Sequence, residues 1–290
     1  MNRLAGPGVE LDVVVPALRT ATVDRLLRSL SLGSDRPDVV TLVSNEVPEA
    51  LPTYGLAVRV VRFSSRTLPI GDRDLALRRD IGLWASNCRH VVTLDDDLVA
   101  AGDLVAAARR LLAAKPCFWG HHRFISFRDH TVEELVGLPP DRGRSRELGV
   151  NRWHLWMSCY GGLFGAEASL VREVGGFDLV FCCRQAGEDQ HLGRRLAYAT
   201  DRSERVFIHE PPFAWHPTEP EPWGPPGHSN LCAGEHQLAP GRFGAVPVDA
   251  CTRCPWFRVR DEAALSGNRV NRPYDPAAVD LTVVWARPPA

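Results

Sequence analysis

Three clusters of residues have types and spacings that suit chemistry. The first is "VVTLDDDLV", where the strand-like run Val91 to Leu94 leads straight into Asp95, Asp96 and Asp97. Adjacent carboxylates repel one another, so in a cleft they need a cation. Hard oxygen ligands of this kind suit Mg²⁺ or Mn²⁺, which keep open positions for water and phosphate. In a chain that stays extended, Asp95 and Asp97 point to one side and Asp96 to the other, which favours an Asp95-x-Asp97 metal site. The competing reading is a solvated acidic loop, or Asp97 as the cap of a helix through "LVAAGDLVAAARRLL". The second cluster is Glu188-Asp189 in "GEDQHLGRRLAYA", a carboxylate pair in the first turn of an expected helix, where negative charge is favourable. The third is Cys232, His236, Cys251 and Cys254, spaced C-x3-H-x14-C-x2-C. Two short-spaced pairs divided by a loop suit tetrahedral Zn²⁺, with His228 as an alternative ligand; the competing reading is four small buried residues.

Elements must hold these residues in place. "LDVVVPALR", "DVVTLVSN" and "AVRVVRF" read as strands buried on both faces. A helix is expected after the first, capped near Thr22 or Asp24 with Leu26, Leu27 and Leu30 inward. In "DRDLALRRDIGLWASNC", Leu77, Ile81, Trp84 and Cys88 recur at helical spacing, leaving Arg78 and Asp74 off the buried face. "CFWGHHRFISF" reads as a strand of the same sheet, "DRGRSREL" as a polar loop, "GGLFGAEASLVREVGGFD" as strand, helix and Gly-ended stop, and "RVFIHEPPFAWH" as a last strand pair. Alternating strands and helices predict an open, mostly parallel α/β sheet that binds ligand at the carboxyl ends of its strands, where Asp95 to Asp97 sit. From Thr218 the texture turns to Pro, Gly and irregular spacing. A domain of residues 1–217 with a C-terminal extension of 218–290 is therefore expected, the zinc site acting as a staple for the extension.

With 290 residues, 44% of them hydrophobic and 24% charged, the chain has an ordinary globular composition, and its net charge of -1 disfavours a nucleic-acid or anionic-lipid partner. Lys115 is its single Lys, so the abundance of Arg reflects compositional bias and no lone Arg signals phosphate. No apolar run approaches the roughly 20 residues of a membrane helix, and the start lacks the layout of a secretory signal, so a cytoplasmic chain without membrane insertion is expected.

In their order, the motifs resemble those of family 2 glycosyltransferases of the GT-A fold, from "VVVPALR" to "FAWHP". "LALRRDIGLWAS" resembles the segment before the family's metal motif, with Arg79-Asp80 where an Arg-Asn pair is usual. "TLDDDL" resembles its D-x-D, "GGLFGAEASLVREVGGFD" its acceptor-side Gly segment and GGFD turn, and "GEDQHLGRRL" its E-D pair and Leu-x-x-Arg pattern. The resemblance implies a GT-A (Rossmann-like) mixed, mostly parallel sheet flanked by helices. It also implies transfer from a nucleotide-diphosphate sugar to an acceptor hydroxyl or similar nucleophile, a small molecule or peptide being favoured. On this reading Pro16 and Ala17 end the first strand at the nucleotide pocket, and Asn45 or Glu46 contacts the base. Arg79 approaches the diphosphate, while Gly161 and Gly162 border the nucleotide-sugar site. Asp95 and Asp97 hold Mn²⁺ or Mg²⁺ across the phosphates, and Asp96 turns toward the ribose or sugar. His216 completes the coordination or touches phosphate, with His209 as competitor. Asp189 is the general base, Glu188 beside it raising its pKa toward the working range, and displacement inverts the anomeric carbon.

Two rivals stand beside this reading. A sugar-phosphate nucleotidyltransferase needs a Gly-rich, basic N-terminal loop, which "VVVPALRTATV" lacks. A non-catalytic nucleotide-sugar-binding protein has no need for both acidic motifs.

Overall fold

The Val-rich runs form the centre of one sheet. The computed structural model describes residues 10–17, 20–44, 51–64, 75–120, 122–139, 142, 144–145, 162–177, 188–200, 205–208, 213–218 and 280–286. Strand β1 (Leu11–Pro16) pairs in parallel with β2 (Val39–Val43) and β4 (His90–Leu94), and β2 pairs in parallel with β3 (Val58–Ser64). Every residue of β1, β2 and β4 is buried, as continuous apolar runs allow when helices cover both faces. Val13 and Val15 of β1 join a cluster with Val23, Leu26, Leu27 and Leu30 of α1 (Thr20–Leu32). On the other face, Leu77 and Ile81 of α2 (Leu75–Ala85) pack on Val43 and Val61. Each of these fully buried side chains contributes about 1.5–3 kcal/mol.

The main sheet continues on both sides. Its order is β10-β6-β9-β4-β1-β2-β3-β12. Strand β9 (Leu163–Glu167) inserts antiparallel between β4 and β6 (Cys117–Gly120), β10 (Arg205–Ile208) lies parallel to β6, and β12 (Asp280–Ala286) lies antiparallel to β3. A strand of the 218–290 segment is thus built into the sheet of the preceding residues. A second, small sheet has the order β5-β11-β7-β8, from Val99–Ala100, Ala214–Pro217, His122–Ile125 and Arg144–Ser145. Helices α3 (Leu104–Ala114), α4 (Val132–Gly137), α5 (Ala168–Glu173) and α6 (Glu188–Ala199) complete the described elements.

Four local expectations are corrected. "CFWGHHRFISF" is two strands in different sheets: Gly120 lies against Leu163 so closely that a Cβ there would overlap it, and the chain leaves the main sheet at that point. "RVFIHEPPFAWH" likewise splits, β10 joining the main sheet and β11 the small one. Within "DRGRSREL", Arg144–Ser145 is a short strand on β7. Asp97 caps no helix, because the two-residue β5 follows it and α3 begins only after Asp103.

At the opposite end of β4 from the acidic run, His90 is 2% exposed. Burial, then the Arg89 charge, push its pKa below the ordinary histidine value, while Glu167 4.0 Å away acts in the other direction. The unfolded chain therefore binds this proton more readily than the folded one. Stability from His90 is complete above the ordinary histidine pKa, about 6.5, and declines as pH falls through it toward the lower folded value. Melting temperatures recorded from pH 7 to pH 5 are expected to drop more steeply for the parent than for His90→Leu. Parallel curves would show that His90 does not carry this proton linkage.

Candidate active site

The acidic run is a turn and not a strand. Strand β4 stops at Leu94, and the Leu98 amide donates to the Asp95 carbonyl at 3.3 Å, so the side-to-side alternation expected of an extended chain does not hold. The Asp95 amide donates to the Gly162 carbonyl at 3.3 Å, which ties the turn to the start of β9. Asp96 and Asp97 are 3% and 6% exposed, which excludes a solvated acidic loop. Ser29, a buried hydroxyl on α1, takes the Ala100 amide at 2.9 Å and fixes the chain just beyond the turn.

His216 reaches the turn through the small sheet. Strand β11 pairs antiparallel with β5, placing Trp215 opposite Val99. Trp215 is fully buried among Val99, Leu135 and Phe213 and donates its indole N–H to the Leu135 carbonyl at 2.7 Å. Side chains alternate along a strand, so anchoring Trp215 on one face sends His216 to the other. There its Nε2 lies 3.8 Å from Asp97 Oδ2. The β7 register brings two more rings onto His216: Phe124, with centroids 4.8 Å apart, and His122, at 5.7 Å.

From the other side comes α2. Arg79 donates to Asp95 Oδ1 at 2.7 Å, its side chain 3% exposed against 28% for Asp95. Burial pushes the Asp95 carboxyl upward, but Arg79, together with His122 and His216, outweighs it and holds the group below the usual carboxylate range. Asp95 is therefore an anion at neutral pH. The expectation that Arg78 lies off the buried face of α2 is corrected: Arg78, Arg79 and Asp80 are all buried. Arg78 Nη1 donates to the carbonyls of Ala17 and Val43, at 3.3 and 3.1 Å, and its guanidinium lies over Phe63. With the Ala17 amide on the Val43 carbonyl at 3.0 Å, it locks the carboxyl ends of β1 and β2 together. This is the end at which Pro16 and Ala17 lie buried.

The structure thus gathers Arg79, Asp95, Asp97, Gly162 and His216 at the carboxyl end of β4, with Asp96 buried in the same turn. Asp189 stands half-buried in the first turn of α6, which Glu188 opens. Asn45, Glu46, Gly161, His209 and His228 lie outside the described residues, as do Cys232, His236, Cys251 and Cys254. His122 is the residue that sequence reasoning missed. A Cβ on Gly162 would overlap its ring, so it faces the acidic turn across the missing side chain of a glycine. No local pattern marks it. Among the described residues, no group of three or more His, Cys, Asp or Glu side chains is arranged to hold a metal ion. No described helix is long and apolar enough to cross a membrane.

No protein-family model matches the chain, and no curated protein does. Solved structures do match. S. aureus TarS 1-349 in complex with UDP aligns with a TM-score of 0.51 at 12% identity, over 73% of this chain and 61% of that one. The same protein in complex with UDP-GlcNAc aligns with a TM-score of 0.50 at 12% identity, over 73% and 59%. The chain therefore spans about three fifths of the length of these structures. The likeness holds at the level of fold: a GT-A-like, mixed and mostly parallel sheet flanked by helices, shared with structures solved with a nucleoside diphosphate or a nucleotide sugar bound.

Proposed function

We propose that the chain is a nucleotide-sugar-dependent glycosyltransferase of the family 2 type, which uses Asp95 and Asp97 to carry a divalent cation and Asp189 to activate the acceptor. The observation that carries this reading is the convergence of Arg79, Asp95, Asp97 and His216 at the carboxyl end of β4, where open α/β sheets bind ligands. The two carboxylates, Asp95 and Asp97, are hard oxygen donors of the kind that suits Mn²⁺ or Mg²⁺, the remaining positions going to water and phosphate oxygens, with His216 beside Asp97. When bound, the ion would offset the charge that develops on the departing diphosphate. Arg79 neutralises part of the Asp95 charge and presents a second cationic group at the same place. Pro16 and Ala17, with Asn45 or Glu46, would border the base and ribose, Asp96 the ribose or sugar, and Gly161 and Gly162 the sugar.

Asp189 would take the acceptor proton, with inversion at the anomeric carbon. The Cys232, His236, Cys251 and Cys254 spacing supports a structural Zn²⁺ in the 218–290 segment. The donor reading is tested by melting the protein with UDP, GDP, ADP or CDP, each with Mn²⁺ and again with excess chelator. A nucleotide at about a hundred times its Kd stabilises by about 2.7 kcal/mol, a rise of roughly 4–5 °C in Tm for a chain of this length. One base is expected to give that rise, and chelator to remove most of it. Flat melting curves for all four nucleotides would overturn the proposal.

A further inference from the structure

We infer that Asp80 and Arg195 are positioning residues, two ends of a strut through the Gly175-Gly176-Phe177 turn that fixes the helix bearing Asp189 relative to the Arg79–Asp95 pair. The inference rests on the transfer reaction proposed above.

Asp80 follows Arg79 on α2 and is fully buried. Its Oδ1 accepts the Phe177 amide at 2.6 Å. Gly176 has φ +66 and sits so close that a Cβ there would overlap Asp80 Oδ1. From the other side, Arg195 on α6 donates through Nη1 to the Val174 carbonyl and through Nη2 to the Gly176 carbonyl. The Phe177 ring closes the assembly, lying under the Arg79 guanidinium at 5.4 Å and in one apolar cluster with Leu192 and Leu196 of α6.

Ending α5 does not require these charges. Gly175, with φ +84, and Gly176 already return their amides to the Arg172 and Val171 carbonyls at 3.0 and 2.9 Å, a sufficient stop for a helix. Burying a carboxylate is costly, so its presence calls for another explanation. The geometry supplies one. A single turn of backbone is held by α2, whose preceding residue touches the acidic turn, and by α6, whose first turn carries Asp189. Arg195 lies on the same helix as Asp189, roughly 9 Å further along at 1.5 Å per residue. Slack in the turn would let α6 shift and move the base relative to the donor phosphates.

The test uses Asp80→Ala, Asp80→Asn, Arg195→Gln and the double variant Asp80→Ala/Arg195→Gln in the full chain. Expected for Asp80→Ala and Arg195→Gln is a fall in kcat of about 10- to 100-fold, the scale of a misplaced reacting group, with nucleoside diphosphate Kd changed by less than about twofold. Asp80→Asn keeps the acceptor oxygen and should restore kcat to within a few-fold of the parent. The double variant should be little worse than the poorer single one, because both act through one turn. Hydrogen exchange is the second measurement: amides 192–196, which bond within the first turns of α6, should lose protection in Asp80→Ala and Arg195→Gln but not in Asp80→Asn. Unchanged exchange there overturns the strut whether or not transfer is detected, and so does a kcat equal to the parent's in both single variants. Absence of transfer by the parent, with the exchange pattern as expected, would overturn the reaction reading and leave the strut standing. If Asp80→Ala fails to fold, Arg195→Gln carries both readouts.

Discussion

Asp189→Asn is expected to lower transfer by about two to four orders of magnitude, the usual worth of a positioned general base, while leaving the nucleotide-induced rise in Tm intact. Asn matches Asp in size and keeps one acceptor oxygen, so packing around α6 should survive. Leu192 and Leu196 are buried in the cluster that holds this helix. The variant cannot take up the acceptor proton, and the loss should therefore appear in kcat and not in nucleotide binding. Transfer at the parent rate would remove Asp189 from the reaction. Glu188→Gln, made in parallel, then becomes decisive: if it alone abolishes transfer, the base is the other member of the pair. Loss of nucleotide binding in Asp189→Asn would instead mean that the first turn of α6 belongs to the donor site.

What was legible in the sequence follows from how local each feature is. Strands β1, β2 and β4 are readable because burial on both faces favours mainly apolar runs, and β3 because Val58, Val60, Val61 and Phe63 stand out between its two Arg residues. The candidate site residues are readable because two acidic motifs stand at element boundaries. Other features depend on partners far along the chain. Asp96 reads as solvated, or as turned to the far side of a strand, whereas the Leu98 amide bonds back to the Asp95 carbonyl and closes the turn around it. Arg78 reads as peripheral to the apolar stripe of α2, yet it and its neighbour Asp80 are both buried, because their partners are carbonyls and amides of β1, β2 and the Gly176-Phe177 turn. A charge satisfied by distant backbone leaves no trace in hydrophobic periodicity. His122 gained its place only when β7 paired with β11 and brought it beside His216. The pairing of β12 with β3, across more than two hundred residues of chain, was invisible for the same reason.

Arg59→Met is expected to cost about 3–5 kcal/mol, the penalty for breaking a buried ion pair from one side, out of a typical total of about 5–15 kcal/mol. Arg59 on β3 is 4% exposed and donates to Asp12 Oδ2 of β1 at 2.6 Å. It also donates to Thr41 Oγ1 of β2 at 2.7 Å and to the Ala85 carbonyl at the end of α2 at 2.6 Å. One side chain thus joins three adjacent strands and the helix that supplies Arg79. Asp12 is fully buried, and burial pushes its carboxyl above the ordinary carboxylate range while Arg59 works against that rise. With Arg59 gone, the folded pKa must climb further, since nothing of opposite charge remains to favour the anion. A group whose folded pKa is raised loses stability as pH rises above its unfolded value, near 3.9, by up to about 1.4 kcal/mol per unit until the folded pKa is reached. Urea midpoints of Arg59→Met and the parent should therefore lie closest near pH 4 and separate toward pH 7. Adding Asp12→Leu removes the stranded carboxylate and should recover part of the loss at pH 7 but little at pH 4. A gap between variant and parent that stays constant with pH would mean the cost comes from lost packing and from the Thr41 and Ala85 bonds, and not from the charge left behind on Asp12.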